Sequence, residues 1–203
     1  VDVGGVVRVA TTEGLAPWLL EQGLLEALAP WPALSIALVT GNANVAVEVA
    51  EADLAVRIGV VSGEGLLVRR AARLGVAAFC SAAYAAARGR PRSVDELRDH
   101  DVLVPDGELA RLPEARLLRG SGGRVRFSSS SLPSLATACG RGLGVTILTR
   151  AWGESAGLER LFDVDLPPRP VSLVMNAESR ARPAVRVVVD VLLRLAGRLS
   201  DPA

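Results

Sequence analysis

Short apolar runs alternate with helix-like patterns over the first part of the chain. Residues 6–10, 34–39 and 54–56 are apolar stretches bounded by polar or turn residues, which predicts three strands. Between them, residues 15–29 and 45–50 repeat apolar side chains at helical spacing. This strand–helix alternation predicts parallel strands joined by right-handed crossovers.

Further along, the apolar pattern predicts a second set of strands and helices. Thr11 or Thr12 could cap the first helix and Glu13 suits its first turn, while Ser93 and Glu96 have capping-box spacing. The arginine-rich residues 69–73 are predicted to lie between two strands, and residues 108–123 to be irregular. The remaining predicted strands are 66–68, 76–79, 102–104, 124–127, 145–148 and 171–175, and the remaining helices are 82–88, 91–97, 132–141 and 183–199.

Polar residues follow each of the first three predicted strands. Thr11 and Thr12 follow the first, Asn42 the second and Arg57 the third. Because parallel strands end at one edge of a sheet, and ligands collect at that edge, these residues predict a binding site. The serines at 128–131 precede a helix and could bind a carboxylate or hydroxylated ligand, or could be a plain loop or helix cap.

The composition indicates a globular chain with little bias toward nucleic acid. Half of the 203 residues are hydrophobic and the formal net charge is only +1. All 23 basic residues are arginine, with the densest cluster at Arg69, Arg70 and Arg73. A nucleic-acid-binding surface normally has a basic excess, so we do not expect this chain to bind DNA itself. No apolar stretch reaches the length of about 20 residues that a membrane span needs.

The residues that commonly carry catalysis or bind metals are scarce. Cys80 and Cys139 lack metal-ligand spacing and are expected to be buried thiols in a reducing compartment. His100, the single histidine, lies in a polar run and is expected to be a solvated loop residue. The glycines at 140, 142 and 144 follow a helix and therefore do not form a dinucleotide-binding fingerprint. We expect no enzyme activity, no cofactor and no metal.

Several segments in this order resemble the effector-binding domain of LysR-type transcriptional regulators. Each segment is weak evidence alone, but their order and spacing extend across nearly the whole chain. The segments are VVRVATT at 6–12, EADLAVRIG at 51–59, FCSAAY at 79–84, GRPRSVDEL at 89–97, SSSSLPSLATACGRGLGV at 128–145 and RPAVRVVVDVL at 182–192.

The resemblance implies a type 2 periplasmic-binding-protein fold, in which two α/β subdomains enclose a ligand cleft. Subdomain I would comprise residues 6–76 plus 171–203, and subdomain II residues 77–170. Members of the family also carry an N-terminal winged helix-turn-helix and a linker helix. Neither is found in this chain, which fits a sequence that opens on Val1 rather than Met.

The resemblance also assigns candidate effector-binding residues. Many relatives have Ser or Thr just after the glycine that corresponds to Gly41, whereas this chain has Asn42 and Ala43. That difference weakens the assumption of a carboxylate effector. The candidates are Thr11, Thr12, Glu13, Asn42, Arg57, Pro105, Asp106, Ser129 and Ser130.

The function that the resemblance implies is sensing of a small-molecule effector in the cytoplasm. Effector binding in the cleft would modulate DNA binding and transcription, with DNA contacted only through the missing N-terminal domain and no membrane partner. A homodimer, and a tetramer at full length, would use residues 15–29 and 34–39 for much of its contact. The alternatives are a periplasmic solute-binding receptor of the same fold, an enzyme, and a dimerisation module without ligand.

Overall fold

The computed structural model describes residues 3–41, 52–61 and 63–199. The chain forms two compact units. One comprises Val1–Leu74 with Arg169–Ala203, and the other comprises Gly75–Pro168. The predicted helix at 45–50 and the candidate Asn42 lie outside the described residues.

The first unit is built on a five-stranded mixed sheet. β1 pairs in parallel with both β2 and β3, while β10 is antiparallel to β3 and β4. The predicted parallel arrangement is therefore observed for the first three strands. The strands, in their order across the sheet, are β2 (Leu34–Thr40), β1 (Gly5–Thr11), β3 (Leu54–Ile58), β10 (Arg169–Met175) and β4 (Leu67–Leu74).

Four α-helices accompany this sheet in the described residues. They are α1 (Leu15–Glu21), α2 (Leu24–Leu28), α7 (Ala177–Ala181) and α8 (Pro183–Ala196), and a 3₁₀ turn, Gly197–Leu199, follows α8. α8 contacts β1 and β4 and buries Val185, Val188 and Leu192.

The prediction of one helix over residues 15–29 is wrong. Gln22 ends α1, and Gly23 adopts a φ of 87° before α2 begins. Glycine reaches this left-handed region without the steric cost that a Cβ would add. The predicted threonine cap is also wrong, because α1 has Gly14 at its N-cap and no side-chain cap. Glu13 lies before the helix rather than in its first turn.

Arg69–Arg73 do not form the predicted connection between strands. They belong to the eight-residue strand β4, which pairs with β10 from Leu67 to Leu74. β4 lies at the edge of the sheet, where arginine side chains can reach water. The apolar pattern therefore detects only part of this strand.

The second unit contains two small sheets. β8 (Thr146–Thr149), β5 (Val76–Cys80) and β9 (Glu159–Asp163) form an antiparallel sheet in that order. β6 (Asp101–Pro105) pairs in parallel with β7 (Arg124–Ser129). The helices are α3 (Ala82–Arg88), α4 (Pro113–Gly120), α5 (Leu132–Gly140) and α6 (Arg150–Ser155), with 3₁₀ turns at Asp95–Asp99 and Gly107–Arg111.

Two local predictions in this unit have different outcomes. The segment 108–123, predicted to be irregular, contains α4, which begins with Pro113 and buries Ala115 and Leu118. The Ser93–Glu96 pattern forms only half of the capping box. The Glu96 amide donates to Ser93 Oγ at 3.4 Å, but Glu96 Oε2 accepts from the Arg92 amide, at 2.8 Å, rather than from the Ser93 amide. These bonds start a 3₁₀ turn rather than an α-helix.

Candidate functional site

The carboxyl ends of β1, β2 and β3 meet at one edge of the first unit, as the sequence predicts. Thr11 is in register with both Thr40 and Val56. The Gly41 amide donates to the Thr11 carbonyl at 3.2 Å and extends the pairing past the end of β2. Thr11 and Arg57 therefore lie at the same edge of the sheet.

Arg57 extends across that edge. Its Nη1 donates to the Gly41 carbonyl at 3.3 Å, so the side chain of a β3 residue reaches the end of β2. The side chain is only 6% exposed, and this burial lowers the pKa of Arg57 from its usual value. Burial disfavours the charged form of a cation, and the guanidinium nevertheless stays protonated at neutral pH because its ordinary pKa is so high.

Thr11 and Arg57 project from opposite faces of the sheet. Residues in register on parallel strands share a face and neighbours along a strand alternate, so Thr11 lies with Val56 and Arg57 lies on the other face. The Thr11 hydroxyl is fully buried and has no hydrogen-bond partner within the described part of the chain. The alternation resolves the side-chain direction of Arg57, which the sequence alone leaves open.

Thr12 and Glu13 occupy the turn between β1 and α1. The Thr12 carbonyl accepts hydrogen bonds from the amides of Leu15 and Ala16, at 3.1 and 3.2 Å, and so starts the helix through its backbone rather than its hydroxyl. Thr12 is half-buried and Glu13 is exposed. The candidates that the structure describes in this unit thus cluster within one sheet edge and the turn beside it.

The candidates of the second unit lie together at the ends of β6 and β7. Pro105 is in register with Ser129, and the Asp106 amide donates to the Ser129 carbonyl at 2.9 Å. Ser130 packs against Gly107, where an added Cβ would come within 3.2 Å of the Ser130 Cβ. Pro105, Asp106, Ser129 and Ser130 therefore form one compact cluster.

Hydrogen bonds hold the Asp106 carboxylate in its charged form. The Gly107 amide donates to its Oδ1 at 2.9 Å, and the Ser128 hydroxyl and Arg119, at 3.2 Å, add further stabilisation. Together they hold the pKa of Asp106 below its usual range. Arg119 lies on α4, which the sequence did not predict, so its approach to Asp106 was missed. Ser128 belongs to the predicted serine run but was not among the candidates.

Part of the serine run has local structural roles. Ser129 Oγ accepts a hydrogen bond from the Ser131 amide at 3.1 Å. Ser131 Oγ accepts from the Ser134 amide at 3.3 Å and caps α5. The capping interpretation therefore holds for Ser131, and the Ser129 hydroxyl is already used in a local hydrogen bond to the Ser131 amide.

His100 is not the solvated residue that the sequence predicts. Its side chain is buried, and its Nδ1 lies 3.3 Å from the Tyr84 hydroxyl. The same hydroxyl accepts a hydrogen bond from the Asp101 amide at 2.9 Å. The polar run around His100 is explained by this network, which anchors the start of β6 to α3.

Cys80 and Cys139 are buried free thiols, as expected. In the part of the chain that the structure describes, no group of His, Cys, Asp or Glu side chains is arranged to hold a metal ion. The helices among the described residues include none that is long and apolar enough to cross a membrane.

Solved structures with the same fold include regulatory domains of LysR-type transcriptional regulators. The CrgA regulatory domain from Neisseria meningitidis matches with a TM-score of 0.80 and 22% identity, covering 96% of this chain and all of that one. The AphB regulatory domain from Vibrio vulnificus matches at 0.70 and 18%, covering 95% and 99%. A sulfate-bound variant of the OxyR2 regulatory domain from the same organism matches at 0.73 and 19%, covering 96% and 98%.

The family comparison covers almost the whole sequence. Residues 2–197 match the LysR substrate binding domain. None of the curated proteins matches the chain. The family match favours the effector-binding domain of a LysR-type regulator over the periplasmic receptor alternative, and the likeness to CrgA and AphB agrees with it in fold. The chain belongs to the LysR substrate-binding domain family and has its periplasmic-binding-protein-like α/β fold.

Proposed function

We propose that this chain binds a small organic effector, with the sheet edge that carries Arg57 as the candidate contact of the first unit and the Asp106 cluster as the candidate contact of the second. The observation that carries the proposal is the buried guanidinium of Arg57, held across the ends of three parallel strands by the Gly41 carbonyl. A charged group fixed at such an edge can orient a ligand at little further entropic cost, because its side chain is already ordered.

The charges on the two units favour a ligand with both donor and acceptor groups. Arg57 supplies a cation, whereas Asp106 is a carboxylate kept ionised by its neighbours. Thr12 and Ser130 would add neutral hydrogen-bonding groups at their respective clusters. An amino acid or a hydroxylated organic acid carries groups that suit each of these clusters, whereas a simple dicarboxylate has no donor for the Asp106 carboxylate.

The effector would act by shifting a conformational equilibrium. A ligand can change that equilibrium only by its difference in affinity for the two states. In a full-length regulator, we propose that the shift changes how the N-terminal DNA-binding domains engage DNA. Catalysis is not part of this proposal, and the regulator would act in the cytoplasm.

We further propose that the chain forms a homodimer through its first unit. β2 is an edge strand of the five-stranded sheet, and large apolar side chains are exposed on it and on the neighbouring elements. Exposed apolar groups beside a free strand edge are typical of an association surface. The exposed side chains are Val6, Leu20, Leu25 and Val39.

A thermal-shift screen against amino acids and organic acids tests the effector proposal. A ligand stabilises the native state in proportion to the logarithm of its concentration over its dissociation constant. We expect a hit whose shift is lost in Arg57→Met and reduced in Asp106→Asn, while Arg73→Met, which removes an exposed arginine of β4, retains it. A shift that survives both site substitutions would contradict the proposed site.

A further inference from the structure

A groove lies in the first unit, near the opposite end of β3 from Arg57. It is formed between β4, the end of β10, α7 and the first half of α8, and its volume is about 420 Å³. Met175, which lines it, is one residue beyond the Val174–Ala55 pair, whereas Ser172 pairs with Arg57. The groove is therefore separate from the candidate effector site.

The floor of this groove is apolar and buried. Met175, Val185 and Val189 line it and are almost entirely buried, and Leu67 is half-buried. A volume of this size falls at the lower end of the range of about 300–1,000 Å³ that is usual for small-molecule sites. The floor can accept a phenyl ring or a short alkyl chain.

The rim of the groove is strongly basic. Arg69, Arg180 and Arg186 line it together with a single acid, Asp190, so positive charge is in excess. Within the described part of the chain, the side chains of these three arginines form neither an ion pair nor a hydrogen bond. They come from three different elements, β4, α7 and α8, and converge on one apolar floor.

We propose that this groove is a binding site for an organic anion with an apolar body, such as an aryl-substituted short-chain carboxylate. The apolar body would cover Met175, Val185 and Val189, and the carboxylate would bind the guanidinium groups at the rim. Guanidinium groups are suited to this task because their planar N–H pairs match the two carboxylate oxygens. The apolar floor excludes a bare inorganic anion as the preferred ligand.

The chain offers a selective probe of this groove, because Met175 is its only methionine. Protein labelled with ¹³C at the methionine methyl group gives one resonance, and that resonance reports on the groove floor. We would titrate the labelled protein with 4-phenylbutyrate, and in parallel with the neutral 4-phenylbutanol and the cationic 4-phenylbutylamine. A saturable shift is expected for the carboxylate, with binding at least tenfold weaker for the alcohol and weaker still for the amine.

Matched variants distinguish binding in the groove from a general attraction of the anion to positive surface charge. Arg69→Gln with Arg186→Gln should weaken 4-phenylbutyrate binding at least tenfold. Arg70→Gln is the control, since Arg70 follows Arg69 on β4 and points to the other face of the sheet. Arg57→Gln, at the candidate effector site, should leave the Met175 titration unchanged and adds no second methionine resonance. Failure of either proposal is therefore distinguishable from failure of the other.

Three results would overturn the proposal. The first is a Met175 resonance that does not move at ligand concentrations where the protein stays folded. The second is equal binding of carboxylate and alcohol, which would indicate apolar adsorption only. The third is an equal loss in the Arg70→Gln control, which would indicate a diffuse charge effect rather than a site.

Discussion

The carboxylate of Asp53 forms an ion pair with the guanidinium of Arg182, although 129 residues separate them in the sequence. Asp53 Oδ2 also accepts a hydrogen bond from the Arg8 amide at 2.8 Å, and Arg182 donates to the Val6 carbonyl at 3.0 Å. This pair therefore joins the starts of β3 and α8 to β1. It connects segments from both ends of the chain within the first unit.

Asp53→Ala should destabilise the first unit by about 1–3 kcal/mol, because it removes a charged acceptor and leaves the Arg8 amide without it. Arg182→Met should have a smaller effect, since Arg182 is more exposed and its partner keeps the Arg8 hydrogen bond. Urea unfolding of both single variants and the double variant measures the pair directly. Additive effects would show that the two side chains are not energetically coupled.

The sequence predicts the elements whose burial follows a regular pattern and misses those that do not. The parallel order of β1, β2 and β3 follows from short apolar runs separated by helical spacing, and it is observed. The predicted strand at 66–68 is shorter than the observed β4, because an edge strand can carry exposed arginines along much of its length. α4 was missed because only one side of the helix is buried and its first turn is polar.

The candidate site likewise has features that the sequence predicts and features that it misses. The meeting of Thr11 and Arg57 at one edge follows from strand order alone, whereas their opposite faces follow from register, which sequence does not fix. The contact between Arg119 and Asp106 depends on the placement of α4 against β6. Burial of His100 depends on a partner, Tyr84, that is 16 residues away in the sequence.

Gly144 is required by a close backbone approach rather than by its own conformation. A Cβ at this position would lie 2.6 Å from the carbonyl oxygen of Asp101, which belongs to the backbone of β6 and cannot simply rotate away. Gly144→Ala should therefore destabilise the second unit by about 1–3 kcal/mol. Gly120→Ala is the matched control, because nothing lies within 4 Å of its added Cβ. Equal unfolding midpoints for the two variants in urea would contradict this explanation.

The free energy of unfolding of the second unit should fall at acidic pH because Asp101 becomes protonated. The Arg124 guanidinium donates to Asp101 Oδ1 at 2.7 Å, and this hydrogen bond lowers the pKa of Asp101. A folded-state pKa below the unfolded value of about 3.9 means that the carboxylate contributes stability above that pH. This contribution is lost as the pH falls through the folded-state pKa.

The difference in unfolding free energy between the parent chain and Asp101→Asn should accordingly shrink on acidification. Urea titrations at a series of pH values between about 6 and 2 would measure it. Arg124→Gln removes the donor and should reduce the same pH dependence. A difference between the parent and Asp101→Asn that stays constant across this range would show that the ion pair does not stabilise the ionised form.

Cys80 and Cys139 should be chemically silent in the native state. Both side chains are fully buried, and the Cys139 thiol donates to the Phe79 carbonyl at 3.4 Å. Burial raises the pKa of Cys80 to about 11, with Glu159 adding to the effect, and burial raises that of Cys139 to about 12. Since the thiolate is the reactive species, both low ionisation and lack of access protect these residues at pH 8.

Ellman's reagent at pH 8 should therefore label neither cysteine in native protein and both after denaturation. Ala87→Cys, which places a thiol on the exposed side of α3, provides the positive control and should react at once. Cys80→Ser and Cys139→Ser would assign any residual labelling to one site. Rapid labelling of the native chain, at a rate that does not increase with denaturant, would mean that a thiol opens to solvent without unfolding, and the second unit would then be looser around β5 and α5 than its packing indicates.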